Sequence, residues 1–255
     1  MSSSIDPTKR FSSRVENYVR CRPGYPKEII GLLESECGLT PDSVIADVGS
    51  GTGKLTKLFL ANGNSVFGIE PNPEMREAGE RFLSYFENFT SIAATAEETT
   101  LPNGRLDFIT AGQAFHWFDR PRCRKEFARI LKPGGWVVLV WNDRQTQATP
   151  FLAEYERLLQ TYATDYSKVD HKNIDDDIVR EFFGFAPGKK AFPSSHEFDF
   201  EGLKGRLLSS SYAPEKGQPG HDQMLADLKN IFNARQKNDR VAFVYDTIVC
   251  YGRLG

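Results

Sequence analysis

The sequence lacks several features that would assign a chain to a broad class at once. No apolar run approaches the roughly 20 residues that a bilayer-spanning helix needs. The 32 basic residues are balanced by 34 acidic ones, which leaves a net charge of -2. Because nucleic-acid binding depends on concentrated basic charge, this balance gives no reason to expect DNA or RNA as a partner. We therefore expect a protein with neither a nucleic-acid partner nor a membrane partner.

Cysteine is also scarce and unpatterned. Its four positions, Cys21, Cys37, Cys123 and Cys250, include no C-x-x-C pair. Metal sites and disulfide frameworks both need a spacing that is absent here, so we expect reduced thiols and no metal. The polar start "MSSSIDPTKRF" has no apolar core of a secretory signal. These features predict a cytoplasmic protein.

The hydrophobic pattern of the first half predicts an α/β domain. The chain has 255 residues, enough for one well-buried domain with an elaboration or for two small ones. Short β-rich runs alternate with helical runs between residues 44 and 142. The predicted strands are 43–47, 65–70, 89–96, 106–112 and 136–142, and the predicted helices are 53–63, 73–86 and one that stops at 133–135. Strands that are apolar throughout, with helices between them, predict a doubly wound parallel sheet covered on both faces.

The second half is less regular. We predict helices over 150–166, 177–183 and 221–236 and strands over 191–200 and 241–254, and assign nothing to 201–212. Two late strands after an α/β core suit an antiparallel addition to the sheet. The chain then divides into N-terminal lid helices in 1–40, a core in 41–145, and cap helices with closing strands in 146–255.

A glycine-rich loop follows the first predicted strand, in "DVGSGTGK" from Asp47 to Lys54. A P-loop, G-x-x-x-x-G-K-[ST], fails twice, because Val48 and Leu55 stand where Gly and Ser or Thr belong. A dinucleotide fingerprint, G-x-G-x-x-G, fails once, at Lys54. A turn without a ligand is the third alternative, but three glycines cost backbone entropy.

The arrangement Asp47-x-Gly49-x-Gly51-x-Gly53 resembles motif I of the class I S-adenosylmethionine-dependent methyltransferases. The resemblance implies that the glycine backbone passes against S-adenosyl-L-methionine, since glycine has no Cβ and tolerates positive φ. The helix that follows can receive the carboxylate of this cofactor at its N-terminus. Glu70 ends the second strand about 20 residues on, where an acid is expected to bind both ribose hydroxyls.

Four further stretches, residues 14–26, 68–75, 93–119 and 127–143, resemble the methyltransferase type 11 group, which includes the trans-aconitate and cantharidin-resistance type methyltransferases. The resemblance implies a Rossmann-like, mostly parallel seven-stranded sheet with an antiparallel edge strand. It also implies cofactor contacts, with Ala96 and Glu97 beside the adenine, at Asp47, Gly49, Gly51, Glu70, Pro71, Asn72, Ala96, Glu97 and Gln113. We add Ser50, Gly53, Tyr18 and Arg22 as candidate cofactor-binding residues. Ser50 departs from the cysteine of many relatives, and Glu97 could equally be a solvated loop acid.

The segment "GQAFHWFD", residues 112–119, follows the fourth strand, where open α/β sheets bind their ligands. We take His116 and Trp117 as the candidate catalytic residues. His116 would orient an acceptor group, or act as a base toward a hydroxyl or amine, and Trp117 would exclude water. The alternative for His116 is a packed core histidine. Phe115 and Phe118 are expected in the core.

The N-terminal stretch "YVRCRPGYP" precedes the core and resembles a lid. Its arginines and tyrosines could bind carboxylates, and Tyr18 and Arg22 are the preferred candidates over Arg20 and Tyr25. An exposed basic helix end is the alternative. In the second half, Tyr212 in "SSSYAP" could line a pocket, although a structural turn explains it as well.

These observations predict an enzyme that transfers a methyl group from S-adenosyl-L-methionine to a small molecule, with a carboxylic acid as the favoured acceptor. A larger natural product or a protein is an alternative acceptor. A cofactor-binding subunit without catalysis is the alternative outside enzymes, and a nicotinamide dehydrogenase is a distant third.

Overall fold

The computed structural model describes residues 14–164, 166 and 174–255. The helices of this part are α1 Val15–Cys21, α2 Glu28–Cys37, α3 Lys54–Ala61, α4 Pro73–Leu83, α5 Arg120–Ile130, α6 Pro150–Tyr162, α7 Asp176–Phe183, α8 Phe200–Leu208 and α9 His221–Arg235, with a 3-10 turn at Phe115–Trp117. The strands are β1 Val44–Val48, β2 Ser65–Ile69, β3 Phe89–Ile92, β4 Leu106–Gly112, β5 Leu131–Arg144, β6 Gly188–Phe198 and β7 Val241–Gly252.

Seven strands form one sheet in the order β3-β2-β1-β4-β5-β7-β6. The pairs among β1 to β5 are parallel, whereas β7 is antiparallel to both β5 and β6. The predicted fold class is therefore confirmed. The order runs outward from β1 to β3 and then restarts at β4, so the direction of winding reverses between β1 and β4. In such sheets this switch point is where a crevice opens at the carboxyl ends of the strands.

Both faces of the sheet are buried, as the apolar strands predict. Alternate residues of one strand belong to different apolar clusters, because successive side chains point to opposite faces. In β5, Val137 and Leu139 pack with α5 and α7, whereas Val138 and Val140 pack with α2 and α3. Phe115 is fully buried in the first cluster and Phe118 is partly buried against it, so their predicted core positions are confirmed.

A third apolar cluster lies outside this sandwich. It joins α6, α8 and α9 to the first half of β7 through residues such as Leu152, Leu203, Leu228 and Phe243. These elements carry the part of the chain that we predicted as a cap. The three-part division into 1–40, 41–145 and 146–255 stays a prediction, and residues 1–13 lie outside the described residues.

Several predicted boundaries were wrong, among them those of β3 and β5. The third strand ends at Ile92 rather than at residue 96, and an isolated bridge between Thr95 and Glu98 follows it. The helix before β5 ends at Ile130, and β5 already begins at Leu131. Pro133, Gly134 and Gly135 therefore lie within the strand, not at the end of a helix. They form an irregularity where the register with β4 shifts, because Leu106 pairs with Leu131 but Phe108 pairs with Trp136.

Helix α8 was missed, and the strand predicted over 191–200 ends at Phe198 instead. Asp199 caps the helix by accepting a hydrogen bond from the Gly202 amide at 2.8 Å. Two glycines, Gly202 and Gly205, lower the helix propensity of this segment and hid it. A Cβ on Gly205 would lie 2.5 Å from the Cys21 Sγ, so this glycine permits α1 and α8 to pack closely. The close contact joins the first described helix to a helix of the second half.

The sequence predicted no membrane-spanning helix and no disulfide bonds, and the described part of the chain bears on both predictions. In residues 14–164, 166 and 174–255, no helix is long and apolar enough to cross a membrane. The four cysteines are free and buried.

Candidate functional site

A cavity opens at the switch point between β1 and β4. Its wall at the strand ends, which we call the strand-end wall, consists of Asp47, Gly49, Ser50, Gly51, Gly112 and Gln113. The opposite wall, which we call the cap wall, consists of Arg144, Arg206, Tyr212 and Tyr245. The N-terminal Tyr18, Arg22 and Tyr25 and the pair His116 and Trp117 complete the lining, with further residues that include Lys54 and Asn142.

The glycine loop is tied to the second strand through its own backbone. The amides of Gly49 and Ser50 both donate to the Ile69 carbonyl, at 2.8 and 3.1 Å. Gly49 has φ +69, and a Cβ there would lie 2.5 Å from the Ala114 Cβ. Gly53 is the N-cap residue of α3 and has φ +80. A Cβ on Gly53 would lie 2.6 Å from the Leu83 Cδ1. Close packing within the protein therefore requires these two glycines, and their predicted contact with the cofactor stays a prediction.

Glu70 lies just beyond β2 and holds the glycine loop. Its Oε2 accepts from the Gly51 amide at 2.8 Å, and its Oε1 accepts from the Asn72 amide at 2.9 Å. Burial raises the pKa of this carboxyl, and the two amide donors oppose the rise. Each carboxylate oxygen has a second acceptor position, so the group can still bind two hydroxyls. Glu70 borders the loop without lining the cavity itself.

Four other predicted cofactor residues make structural contacts outside the cavity lining. Asn72 caps α4 by accepting from the Met75 amide at 2.8 Å, and Pro71 precedes it. Ala96 is buried in the core. Glu97 accepts a hydrogen bond from the Asp119 amide at 2.9 Å, which links its loop to the start of α5. These contacts do not test the predicted roles of the four residues in cofactor binding.

Asp47 forms the floor of the cavity and is almost fully buried, with 1% of its surface exposed. Thr56 donates to its Oδ2 at 2.6 Å, and Thr110 donates to its Oδ1 at 3.0 Å. Burial raises the pKa of Asp47 to about 6, and the two threonine hydrogen bonds oppose that rise. The carboxyl therefore changes charge close to neutral pH.

Gln113 and the 3-10 turn after it form the strand-end wall beyond β4. Gln113 adopts φ +55, which is uncommon for a residue with a side chain. Its amide donates to the Val140 carbonyl at 2.9 Å and its Nε2 donates to the Asn142 carbonyl at 3.1 Å. The rings of His116 and Trp117 lie 4.7 Å apart, and both residues line the cavity. The predicted pair is thus brought to the site.

The N-terminal residues close the cavity from the side of α1. Arg22 packs over the Tyr18 ring and donates to the Ser209 Oγ at 3.0 Å and to the Ser210 Oγ at 3.3 Å. Burial lowers the pKa of Arg22, and the nearby Arg206 lowers it further. The loop after α1 is fixed because Asn142 donates to the Gly24 carbonyl at 3.1 Å. The alternative of an exposed basic helix end therefore does not hold for Arg22.

The cap wall contains two residues that sequence reasoning missed, Arg144 and Arg206. Arg144 ends β5, so its place at the carboxyl edge of the sheet was a signal that could have found it. Arg206 lies on the missed helix α8, and its surroundings in the sequence carried no motif. Tyr212, a weaker candidate, does line the cavity.

Comparisons with known proteins agree with this fold and site. The methyltransferase domain family matches residues 46–139. A methyltransferase-like protein of Schizosaccharomyces pombe is 28% identical over 97% of this chain and 96% of its own length. A Dictyostelium discoideum protein named as a candidate methyltransferase is 30% identical over 70% of this chain and 69% of its own. A solved structure named as a candidate type II methyltransferase of Anaeromyxobacter dehalogenans has a TM-score of 0.65 at 20% identity, covering 91% of this chain and 98% of that one.

The sheet order and the loop at its switch point define a class I methyltransferase. The chain belongs to the methyltransferase family, and it is an enzyme that uses S-adenosyl-L-methionine. The alternatives of a non-catalytic subunit and of a nicotinamide dehydrogenase are therefore set aside. The residues fit this cofactor, since Glu70 has free acceptor positions for a ribose and Arg22 is a cation without a carboxylate partner among the described residues. When bound, the cofactor supplies an electrophilic methyl group on a sulfonium.

Proposed function

We propose that this enzyme methylates the carboxylate of a small organic acid to form a methyl ester. The observation that supports the proposal is the charge of the cavity. Four basic side chains, Arg22, Lys54, Arg144 and Arg206, line it within the described residues, whereas the lining carboxylate there is Asp47 alone. Glu156 pairs with Arg144, which still leaves three cations against one acid whose pKa is raised to about 6.

An anionic acceptor is the class of small molecule that balances this excess. The sulfonium of the cofactor adds one more positive charge, so a neutral amine or hydroxyl would leave the filled cavity strongly cationic. The resemblance to trans-aconitate and cantharidin-resistance type methyltransferases supports the same class. Free, buried cysteines support the further proposal that the enzyme works in the cytoplasm, where thiols stay reduced.

Methyl transfer to a carboxylate requires little proton transfer by the protein. A carboxylic acid with an ordinary pKa near 4 is ionised at neutral pH, so no base has to remove a proton. A lone pair of the carboxylate oxygen forms the new C–O bond as the C–S bond breaks. The electron pair of the broken C–S bond stays on sulfur. The chain has to hold the acid in line with the methyl group and exclude water, and such positioning is worth about 7–11 kcal/mol. We assign the exclusion of water to Trp117 and the orientation of the acceptor to His116.

Transfer of a labelled methyl group tests this proposal. Purified enzyme is incubated with labelled S-adenosylmethionine and with small acids, each beside its primary amide as a neutral control. We expect labelled product from acids alone, and the product should release methanol in mild base because it is an ester. Label that resists base would contradict it. Transfer to amines and alcohols at a rate that rises with pH, with that pH dependence lost in His116→Asn, would contradict it as well.

A further inference from the structure

Arg206 is a buried cation whose charge no acid balances. It exposes 6% of its surface, and its Nε and Nη1 donate to the Tyr245 hydroxyl at 3.4 Å and to the Ser210 Oγ at 3.2 Å. The guanidinium also packs 5.8 Å from the centre of the Phe243 ring. Among the described residues, no carboxylate lies within ion-pair distance of it, and its Nη2 has no hydrogen-bond partner. The guanidinium stays protonated at any pH the protein meets.

Such an arrangement is costly without a ligand. A buried charge normally has a partner of opposite sign, and a buried arginine without one destabilises the fold. Arg206 lies on α8, whose Leu203 and Leu207 belong to the apolar cluster shared with α6 and β7. Its hydrogen bonds go to neutral hydroxyls and leave the charge itself unbalanced, whereas an anion in the cavity that Arg206 lines would balance it.

Arg144 adds a second donor with a missing partner. Its Nη2 is occupied by Glu156 and by the Tyr166 hydroxyl, but its Nη1 is buried and makes no hydrogen bond with any described residue. Its guanidinium packs over the Tyr155 ring, 5.2 Å from the centre, and the Tyr155 hydroxyl is likewise buried without a partner in the described part of the chain. Buried polar groups are nearly always hydrogen-bonded, and Arg144 lines the cavity, so its Nη1 lacks an acceptor that a ligand there could supply.

We infer that Arg206 and Arg144 form a carboxylate-binding subsite on the cap wall, which selects an acid as the methyl acceptor. Arg206 supplies the charge, and Arg144, already neutralised by Glu156, supplies a directed hydrogen bond. A carboxylate has about four acceptor positions, so two such donors leave lone pairs free for the reaction. The assignment of the bound acid as the acceptor rests on the proposed function. The subsite is separate from Glu70 and the glycine loop, and this separation makes it testable.

The experiment measures acid binding to the enzyme saturated with S-adenosylhomocysteine. Calorimetry with succinate and benzoate, beside succinamide and benzamide, compares the wild type with Arg206→Met and Arg206→Lys. Arg235→Met is the matched control, because this arginine pairs with Glu154 on the surface, away from the cavity. We expect Arg206→Met to weaken acid binding at least 30-fold, Arg206→Lys to restore part of it, and the control to change it less than twofold. Affinity for S-adenosylhomocysteine should change less than threefold in all.

Thermal unfolding of the ligand-free protein gives a second readout with a distinctive sign. If Arg206 exists for a ligand, Arg206→Met removes an unbalanced buried charge and should raise the Tm by about 2–4 °C. A merely structural arginine would lower it. Acid affinity that is unchanged in a folded Arg206→Met, or no acid binding by the wild type, overturns the subsite. Acid binding without ester formation would instead contradict the proposed function but not the carboxylate-binding subsite.

Discussion

The two walls of the cavity are built in different ways. The strand-end wall consists mainly of backbone and short side chains, held by a carbonyl of β2 and by the acid Glu70. The cap wall consists of long arginine and tyrosine side chains from β5, α8 and β7, and it has more donors than partners. The difference fits the division of work that we propose, in which the strand-end wall binds the cofactor and the charged cap wall binds the acceptor.

The largest expected effect comes from adding a methyl group to the strand-end wall. Gly49→Ala places a Cβ 2.5 Å from Ala114 in a backbone with φ +69. We expect the free energy of unfolding, measured in urea, to fall by about 3–4 kcal/mol. Gly134→Ala is the control, because Gly134 has φ +80 but open space around it, and should cost about 1 kcal/mol. Equal losses in both variants would show that the clash does not matter.

The second effect separates the walls by ligand. Glu70→Gln replaces one acceptor oxygen with an amide that faces a backbone N–H, so the glycine loop loses a charged hydrogen-bond partner. We expect the Kd for S-adenosylhomocysteine, measured by calorimetry, to rise about 100-fold, the size of one or two such bonds. Glu77→Gln, on the exposed face of α4, should leave it unchanged. An unaltered affinity in Glu70→Gln would remove the ribose assignment.

A third effect concerns pH. The pKa of Asp47 is raised to about 6, so the folded protein keeps a proton that the unfolded chain has already lost. Stability from this group is present below about pH 4 and is lost as the pH rises to about 6, at a cost of about 3 kcal/mol. Asp47→Asn should therefore gain in unfolding free energy relative to wild type across this range. Parallel stability curves for the two proteins would contradict the prediction.

Glu126 offers the opposite case as a control. It is also buried, but hydrogen bonds from Arg129 hold the pKa of this carboxyl at about 2. Stability from Glu126 is present above about pH 4.5 and is lost as the pH falls toward 2. Glu126→Gln should thus destabilise the protein at pH 7, and the deficit should shrink in acid. The contrast separates a carboxyl kept for structure from one kept in the cavity.

The smallest effect lies behind the cap wall. Tyr155→Phe removes a buried hydroxyl that has no partner among the described residues. We expect the unfolding free energy to rise by up to about 1 kcal/mol, since an unsatisfied polar group is lost. The KM for an acid substrate should change less than threefold, because Tyr155 supports Arg144 without lining the cavity. A clear loss of stability would mean that the hydroxyl has a partner in the folded protein.

Much of the fold could be predicted because buried parallel strands are apolar throughout. The bounds 106–112 of β4 were predicted to the residue. The sequence did not reveal α8, because Gly202 and Gly205 serve packing against α1, and that contact is 184 residues apart in the chain between Cys21 and Gly205. The start of β5 was hidden for a similar reason, since the Pro-Gly-Gly irregularity is accommodated by pairing with β4.

The same physics explains what could be predicted of the site. The strand-end wall is local in sequence, because one turn and the acid after the next strand produce its geometry. The cap wall depends on how α8 packs against the rest of the fold. No spacing rule in the sequence predicts that Arg206 and Gln113 line the same cavity. His116 and Trp117 were brought to the cavity as predicted, whereas their roles in the reaction stay predictions.

The close packing of α1 against α8 has a consequence for how such enzymes diverge. The segment that matches the methyltransferase family, residues 46–139, ends before either cap-wall arginine. If the cap wall binds the acceptor as we propose, a chain can keep this segment while changes after residue 139 alter the substrate. Because Ser209 and Ser210 accept hydrogen bonds from Arg22, a change in α8 or in the turn after it also alters the contacts of the residue that follows α1.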